Sequence, residues 1–143
     1  MSKLLIATGA DHGGYKMKKD LVKHLKKNNF SVIDFGPSTN DPVDYPDYAK
    51  RVAKNVLFKK SNVGILVCWS GTGMAMSANK FKKIRAVVCY NKASTRLSRQ
   101  HNNANIMALG ARLTKKADAM KLVNIFLNTK FEGGRHLRRV KKV

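Results

Sequence analysis

Four short stretches carry side chains whose types and spacing could do chemistry. The first is Gly9-Ala10-Asp11-His12-Gly13-Gly14, an aspartate and a histidine in a glycine-rich turn. At a helix N-terminus such a turn offers N–H groups to an anion, although the same pair would serve equally as a cap or a surface hydrogen bond. The second is Cys68-Trp69-Ser70-Gly71-Thr72-Gly73. A cysteine that ends a buried strand just before a helix sits where a thiolate is stabilised. Gly71, Thr72 and Gly73 let the backbone turn its N–H groups toward one point, a nest for negative charge. Read alone, Cys68 fits a small buried hydrophobe as well.

The third stretch is Ser98-Arg99-Gln100-His101-Asn102-Asn103-Ala104-Asn105, a dense polar run that reads as a packed functional loop ahead of a strand. In the fourth, residues 132–139, Arg135 and Arg139 stand four apart, on one face of a helical turn. Two guanidinium forks suit a phosphate dianion; a solvated basic tail is the competing reading. Other chemistries find no support. The glycines lack the G-x-G-x-x-G spacing and no Walker lysine follows them, so no nucleotide cofactor is expected. Histidines and cysteines do not fall at ligand spacing and the eight acidic residues do not cluster, so no metal is expected either.

The elements that must position these residues follow from periodicity. Short apolar runs predict strands over residues 4–8, 30–35, 63–68, 85–90 and 105–109. Between them, apolar spacing and small residues predict helices over 15–28, from Pro46 to about Lys59, 74–82, 92–100, and 115–129 with Thr114 as cap. Strand and helix alternate with connections short enough to demand parallel pairing. The expected fold is therefore a three-layer α/β/α Rossmann-like domain, with a five-stranded parallel sheet and helices on both faces. One domain over residues 1–143 is expected, with a basic C-terminal tail from about residue 131 that contributes to the site or to a dimer interface. Ligands of such sheets bind beyond the carboxyl ends of the strands, so the loops after strands one, three, four and five are the ones to read.

Composition adds limits. With 43% apolar and 8% aromatic residues the chain is globular rather than disordered. No stretch approaches a membrane span or a signal peptide's apolar core, and the two cysteines make no disulfide framework. A cytoplasmic protein with free thiols is the expectation. The net charge of +21 permits phosphate-rich partners, nucleic acid included. Yet the lysines are scattered in small groups, Lys16, Lys18 and Lys19, Lys26 and Lys27, Lys59 and Lys60, Lys82 and Lys83, Lys115 and Lys116. They read as solvated helix faces and ends, not as a nucleic-acid arm.

The stretches Asp11-His12-Gly13-Gly14, Asp44-Tyr45-Pro46, Gly64-Ile65-Leu66-Val67-Cys68, Gly71-Thr72-Gly73, Ser77-Ala78-Asn79-Lys80, Ile84-Arg85-Ala86, Ser98-Arg99-Gln100-His101-Asn102 and Glu132-Gly133-Gly134-Arg135 recur together in one family. In order and spacing the chain resembles the ribose-5-phosphate isomerase B family, which includes galactose-6-phosphate and allose-6-phosphate isomerases. The resemblance covers almost the whole chain. It implies an aldose–ketose isomerase acting through an enediolate on a phosphorylated pentose, or alternatively a hexose, without a cofactor. Cys68 matches the family's base, Ser70 its proton-shuttling hydroxyl, and Gly71, Thr72 and Gly73 its anion hole. His101 matches the residue that opens the sugar ring, with Asp11 on the ring-oxygen side. His12, Arg135 and Arg139 match phosphate-holding positions, and Tyr45 and Asn102 further pocket positions. The family's tail arginines imply an active homodimer, which could pair into a tetramer. Trp69 departs from the family's glycine; it either walls the pocket or points into an interface.

Overall fold

A computed structural model describes residues 4–58 and 60–143. The strands are β1 (Leu5–Ala10), β2 (Ser31–Asp34), β3 (Val63–Cys68), β4 (Ala86–Val88) and β5 (Ile106–Gly110). The helices are α1 (Tyr15–Lys27), α2 (Tyr45–Leu57), α3 (Thr72–Ala78), α4 (Lys92–Asn102), α5 (Lys116–Asn128) and α6 (Arg135–Val140). All strand pairs are parallel, in the order β2-β1-β3-β5-β4. The expected five-stranded α/β/α sandwich is therefore the observed one.

Each face of the sheet carries a packed apolar core. Ile65 and Val67 of β3 join Met17, Leu21 and Leu25 of α1 and Leu122, Val123 and Phe126 of α5 in one core. Leu66 and Cys68, pointing the other way, join Val52 and Ala53 of α2 and Met74 and Ala78 of α3 in the second. This alternation is why β3 and β5 read as unbroken apolar runs.

Several boundaries moved, each for a local reason. β1 carries on through Gly9 to Ala10, because a residue without Cβ lets the Val52 side chain approach the strand closely. α2 does begin around Pro46 but ends at Leu57, and Lys59 lies outside the described residues. α3 starts at Thr72, since Gly71 adopts φ 81° and turns the chain straight into the helix. It ends at Ala78, where the Asn79 side chain bonds both the N–H and the C=O of Ala86 and starts the short edge strand. α4 runs on to Asn102, so His101 and Asn102 occupy a helix's last turn rather than a loop. The stop comes at Asn103, which takes the left-handed conformation that asparagine tolerates. Thr114 does not cap α5; it is buried, and Lys115 stands at the cap position. Lys18 also departs from the solvated reading. It is 3% exposed and its ammonium donates to Asp34 at 2.8 Å and to the Pro37 carbonyl at 3.2 Å, tying α1 to the end of β2.

Candidate active site

Strand order reverses between β1 and β3, which opens a crevice at their carboxyl ends. Asp11 and Cys68 flank it, joined through the Asp11 N–H, which donates to the Val67 carbonyl at 3.2 Å. Cys68 is 5% exposed, and its sulfur accepts the Gly71 N–H at 3.1 Å. The left-handed turn at Gly71 therefore aims a donor at the sulfur and fixes its position. The Thr72 N–H reaches the Ser70 hydroxyl at 3.3 Å, which puts Ser70 at the same turn. Tyr45 joins them from the start of α2, its ring packed so closely on Gly73 that any Cβ there would collide with it.

On the β1 side, one oxygen of buried Asp11 accepts the Gly14 N–H at 3.0 Å, which closes the turn that leads into α1. That bond holds the carboxylate in place at the crevice. The Nδ1 of His12 accepts the Val43 N–H at 3.2 Å. Nε2 then carries the ring proton and presents a donor.

Trp69 lies against Gly13, where an added methyl group would fall inside the indole. Its ring carries the Arg112 guanidinium at 3.5 Å from the centroid. Arg112 is placed there because Ala111 and Arg112 donate their N–H groups to the carbonyls of Cys68 and Trp69. Trp69, half exposed, thus bridges the turn after β1 and the loop after β5, next in sequence to Cys68. Arg112 was not singled out by the sequence, though the loop after the fifth strand was marked for reading.

The remaining predicted residues lie elsewhere. β3 and β5 pair from Gly64 with Ile106 to Cys68 with Gly110. Cys68 thus stands at the carboxyl edge of the sheet, while α4 delivers His101 and Asn102 just ahead of β5, at the amino edge. At ~3.3 Å per residue the paired stretch alone separates the two edges by roughly 13 Å. The expectation that all chemically interesting residues follow strand ends therefore fails for His101, Asn102, Arg135 and Arg139. The reason is topological: α4 and α5 run back across the sheet before they deliver them.

At the amino edge α6 packs on α4. A cavity of about 570 Å³ there is lined by His101, Asn102, His136 and Arg139, and neither Cys68 nor Asp11 touches it. Arg135 and Arg139 do share one turn of a helix, both exposed. The rings of His101 and His136 stack with centroids 4.2 Å apart, and Glu132 Oε1 lies 3.8 Å from His101 Nε2 and 3.5 Å from His136 Nε2. Burial, then the neighbouring His101 and Arg135, hold the His136 imidazole below the usual histidine range. Glu132 and His136 stand four apart, but their meeting with His101, which comes from another helix, leaves no sequence spacing. Below this cluster, Arg99 donates to the Thr129 carbonyl and to Asn103, and Arg85 to the Asn103 carbonyl, which locks the α4–β5 corner.

The comparisons agree with one another. Residues 6–143 match the family described as Ribose/Galactose Isomerase. The ribose-5-phosphate isomerase B of Escherichia coli K12 is 43% identical over 138 residues, covering 96% of this chain and 93% of that protein. The Clostridium thermocellum ribose-5-phosphate isomerase B structure superposes with a TM-score of 0.96 at 45% identity, covering 97% of this chain and 94% of that one. The Mycoplasma genitalium ribose-5-phosphate isomerase B, solved with ribulose 5-phosphate bound, superposes at 0.92 with 41% identity, covering 96% and 92%. With the Cys68 crevice set at the switch point of the same fold, this chain belongs to the ribose/galactose isomerase family.

Proposed function

We propose that this enzyme interconverts D-ribose 5-phosphate and D-ribulose 5-phosphate, and that its active unit is a homodimer. The observation that carries the reading is the Cys68 sulfur, held by the Gly71 N–H in the crevice beside Asp11 and His12. An aldose becomes a ketose when a base takes the C2 proton, an enediolate forms, and the proton returns to C1. Cys68 Sγ is that base, as thiolate and then thiol. Ser70 passes a proton between the two sugar oxygens. The N–H groups of the 71–73 turn, two of which hold the Cys68 sulfur and the Ser70 hydroxyl, also serve the enediolate oxygen, where preoriented donors stabilise charge as it develops. His101 opens the furanose by moving the anomeric hydroxyl proton toward the ring oxygen, with Asp11 on that side. The Nε2–H of His12 and the guanidinium groups of Arg135 and Arg139 hold the phosphate, and Tyr45 and Asn102 complete the pocket. Only protons move, so the reaction calls for no cofactor.

A base and a ring opener must each reach within about 3 Å of the same sugar. Within one chain they lie on opposite sheet edges, which favours a second copy that brings its α4–α6 edge to the first copy's crevice. The indole of Trp69, pinned between Gly13 and Arg112, narrows the crevice and favours the pentose over allose or galactose 6-phosphate. A reducing cytoplasmic compartment suits a catalytic free thiol.

The test is turnover of ribose 5-phosphate with chelator present, for the native enzyme and Cys68→Ala. Native turnover and a loss of about 100-fold or more in the variant, with unchanged circular dichroism, are expected for removal of a general base. Undiminished turnover in the variant would move the base elsewhere.

A further inference from the structure

We propose that His101, Glu132 and His136 form a binding site for a divalent transition-metal ion of the borderline class, zinc foremost. Three donor atoms, one ring nitrogen from each histidine and one carboxylate oxygen, all lie within 4.8 Å of one another. Two histidines and a glutamate with an open fourth position are a donor set that zinc, cobalt and nickel accept. Bonds of about 2.0–2.1 Å in a tetrahedral arrangement require donors roughly 3.3 Å apart. The Glu132–His136 pair, at 3.5 Å, is already close to that separation, and the Glu132–His101 pair is at 3.8 Å.

The chain builds this arrangement deliberately. The Glu132 N–H donates to the Gln100 carbonyl at 3.0 Å, which fastens the tail beside His101. Gly133 and Gly134 then take φ of 68° and 55°, a reversal that brings His136 back over Glu132. His136 is the fixed member, its side chain 9% exposed, whereas those of His101 and Glu132 are 40% and 49% exposed. Stacked rings cannot both point in-plane at one ion, so binding requires His101 to rotate about its outer torsion, which its exposure allows. Arg135 and Arg139 on the same helix oppose a cation, so the affinity is expected to fall below that of a structural zinc site. Occupancy would take the Nε2 of His101 out of use. Inhibition of ring opening by the ion therefore rests on the function proposed above; binding itself does not.

The native protein is titrated with Co²⁺ in chelator-free and phosphate-free buffer, followed by calorimetry and visible absorption. One equivalent per chain is expected, with ligand-field bands of nitrogen and oxygen donors and no thiolate charge-transfer band, displaced by Zn²⁺. Glu132→Gln, at an exposed position, and His136→Gln should each weaken binding by about tenfold or more, near 1.4 kcal/mol. Cys68→Ser should leave it unchanged. Equal affinity in the Glu132 variant, a thiolate band, or no saturable binding up to ~1 mM, where affinity is only about 4 kcal/mol, would overturn the site. If the metal binds as expected but ribose 5-phosphate is not turned over, the site stands and the proposed reaction falls.

Discussion

Gly13 and Trp69 are coupled through space that only one of them can occupy. A methyl group at Gly13 displaces the indole, and displacing the indole breaks its stack on Arg112. Gly13→Ala should therefore cost about 1–3 kcal/mol, the usual penalty of overpacking. In a Trp69→Gly background the same substitution should cost little, because the obstacle is gone. Urea unfolding of the four proteins in this cycle gives the coupling directly; equal costs in both backgrounds would show that the indole swings aside freely. Neither partner was visible as such in the sequence. Trp69 stood out as a departure from its family, but a contact between residues 56 positions apart needs the fold to appear.

At the scale of elements, the joint between β4 and α4 carries a prediction of its own. Cys89, just past β4, is 1% exposed, and burial pushes its thiol up from 9.0 to about 11, against a smaller opposing effect from Thr95. A raised thiol favours the protonated form in the native state. Its contribution is whole below the unfolded thiol's range and is lost as pH rises through the window from 9 to 11. A shift of this size corresponds to roughly 2–3 kcal/mol at most. Denaturant titrations across that window should show native stability falling more steeply than that of Cys89→Ala; parallel slopes would contradict the burial argument. The elements themselves were largely legible. Short apolar runs placed all five strands, and period-3.6 spacing with small residues placed the first five helices, because buried faces must be marked in the sequence. What escaped were their ends and exceptions. Asn79 and Asn103 stop helices through side-chain bonds and a left-handed turn, and Lys18 is buried only because Asp34 meets it from a strand 16 residues away. Periodicity carries none of that information.

For the whole molecule, the split between carboxyl-edge and amino-edge residues decides what can be tested. The sequence offered the residue types of the proposed site but not their partition over the two edges, since that depends on which way α4 and α5 cross the sheet. If each active site draws Cys68 from one copy and His101 from the other, two inactive variants should rescue each other. Refolding Cys68→Ala together with His101→Ala as an equal mixture makes half the dimers hybrid, each with one intact site. About a quarter of native activity should return, by the statistics of twofold pairing. No recovery, despite hybrid dimers seen by mass spectrometry, would place base and ring opener in a single chain.

The chain has one tryptophan, and it stands next to Cys68 with its indole against Gly13. Trp69 is 49% exposed, so its emission reports on water at the carboxyl edge beside Cys68. That makes the enzyme its own optical sensor. Ribose 5-phosphate seated beside Cys68 should exclude water from the indole and shift its emission to shorter wavelength, in Cys68→Ala as in the native protein. A ligand held only against α6 should leave the spectrum where it was. Occupancy of one half-site could thus be followed separately from turnover, without attaching a label.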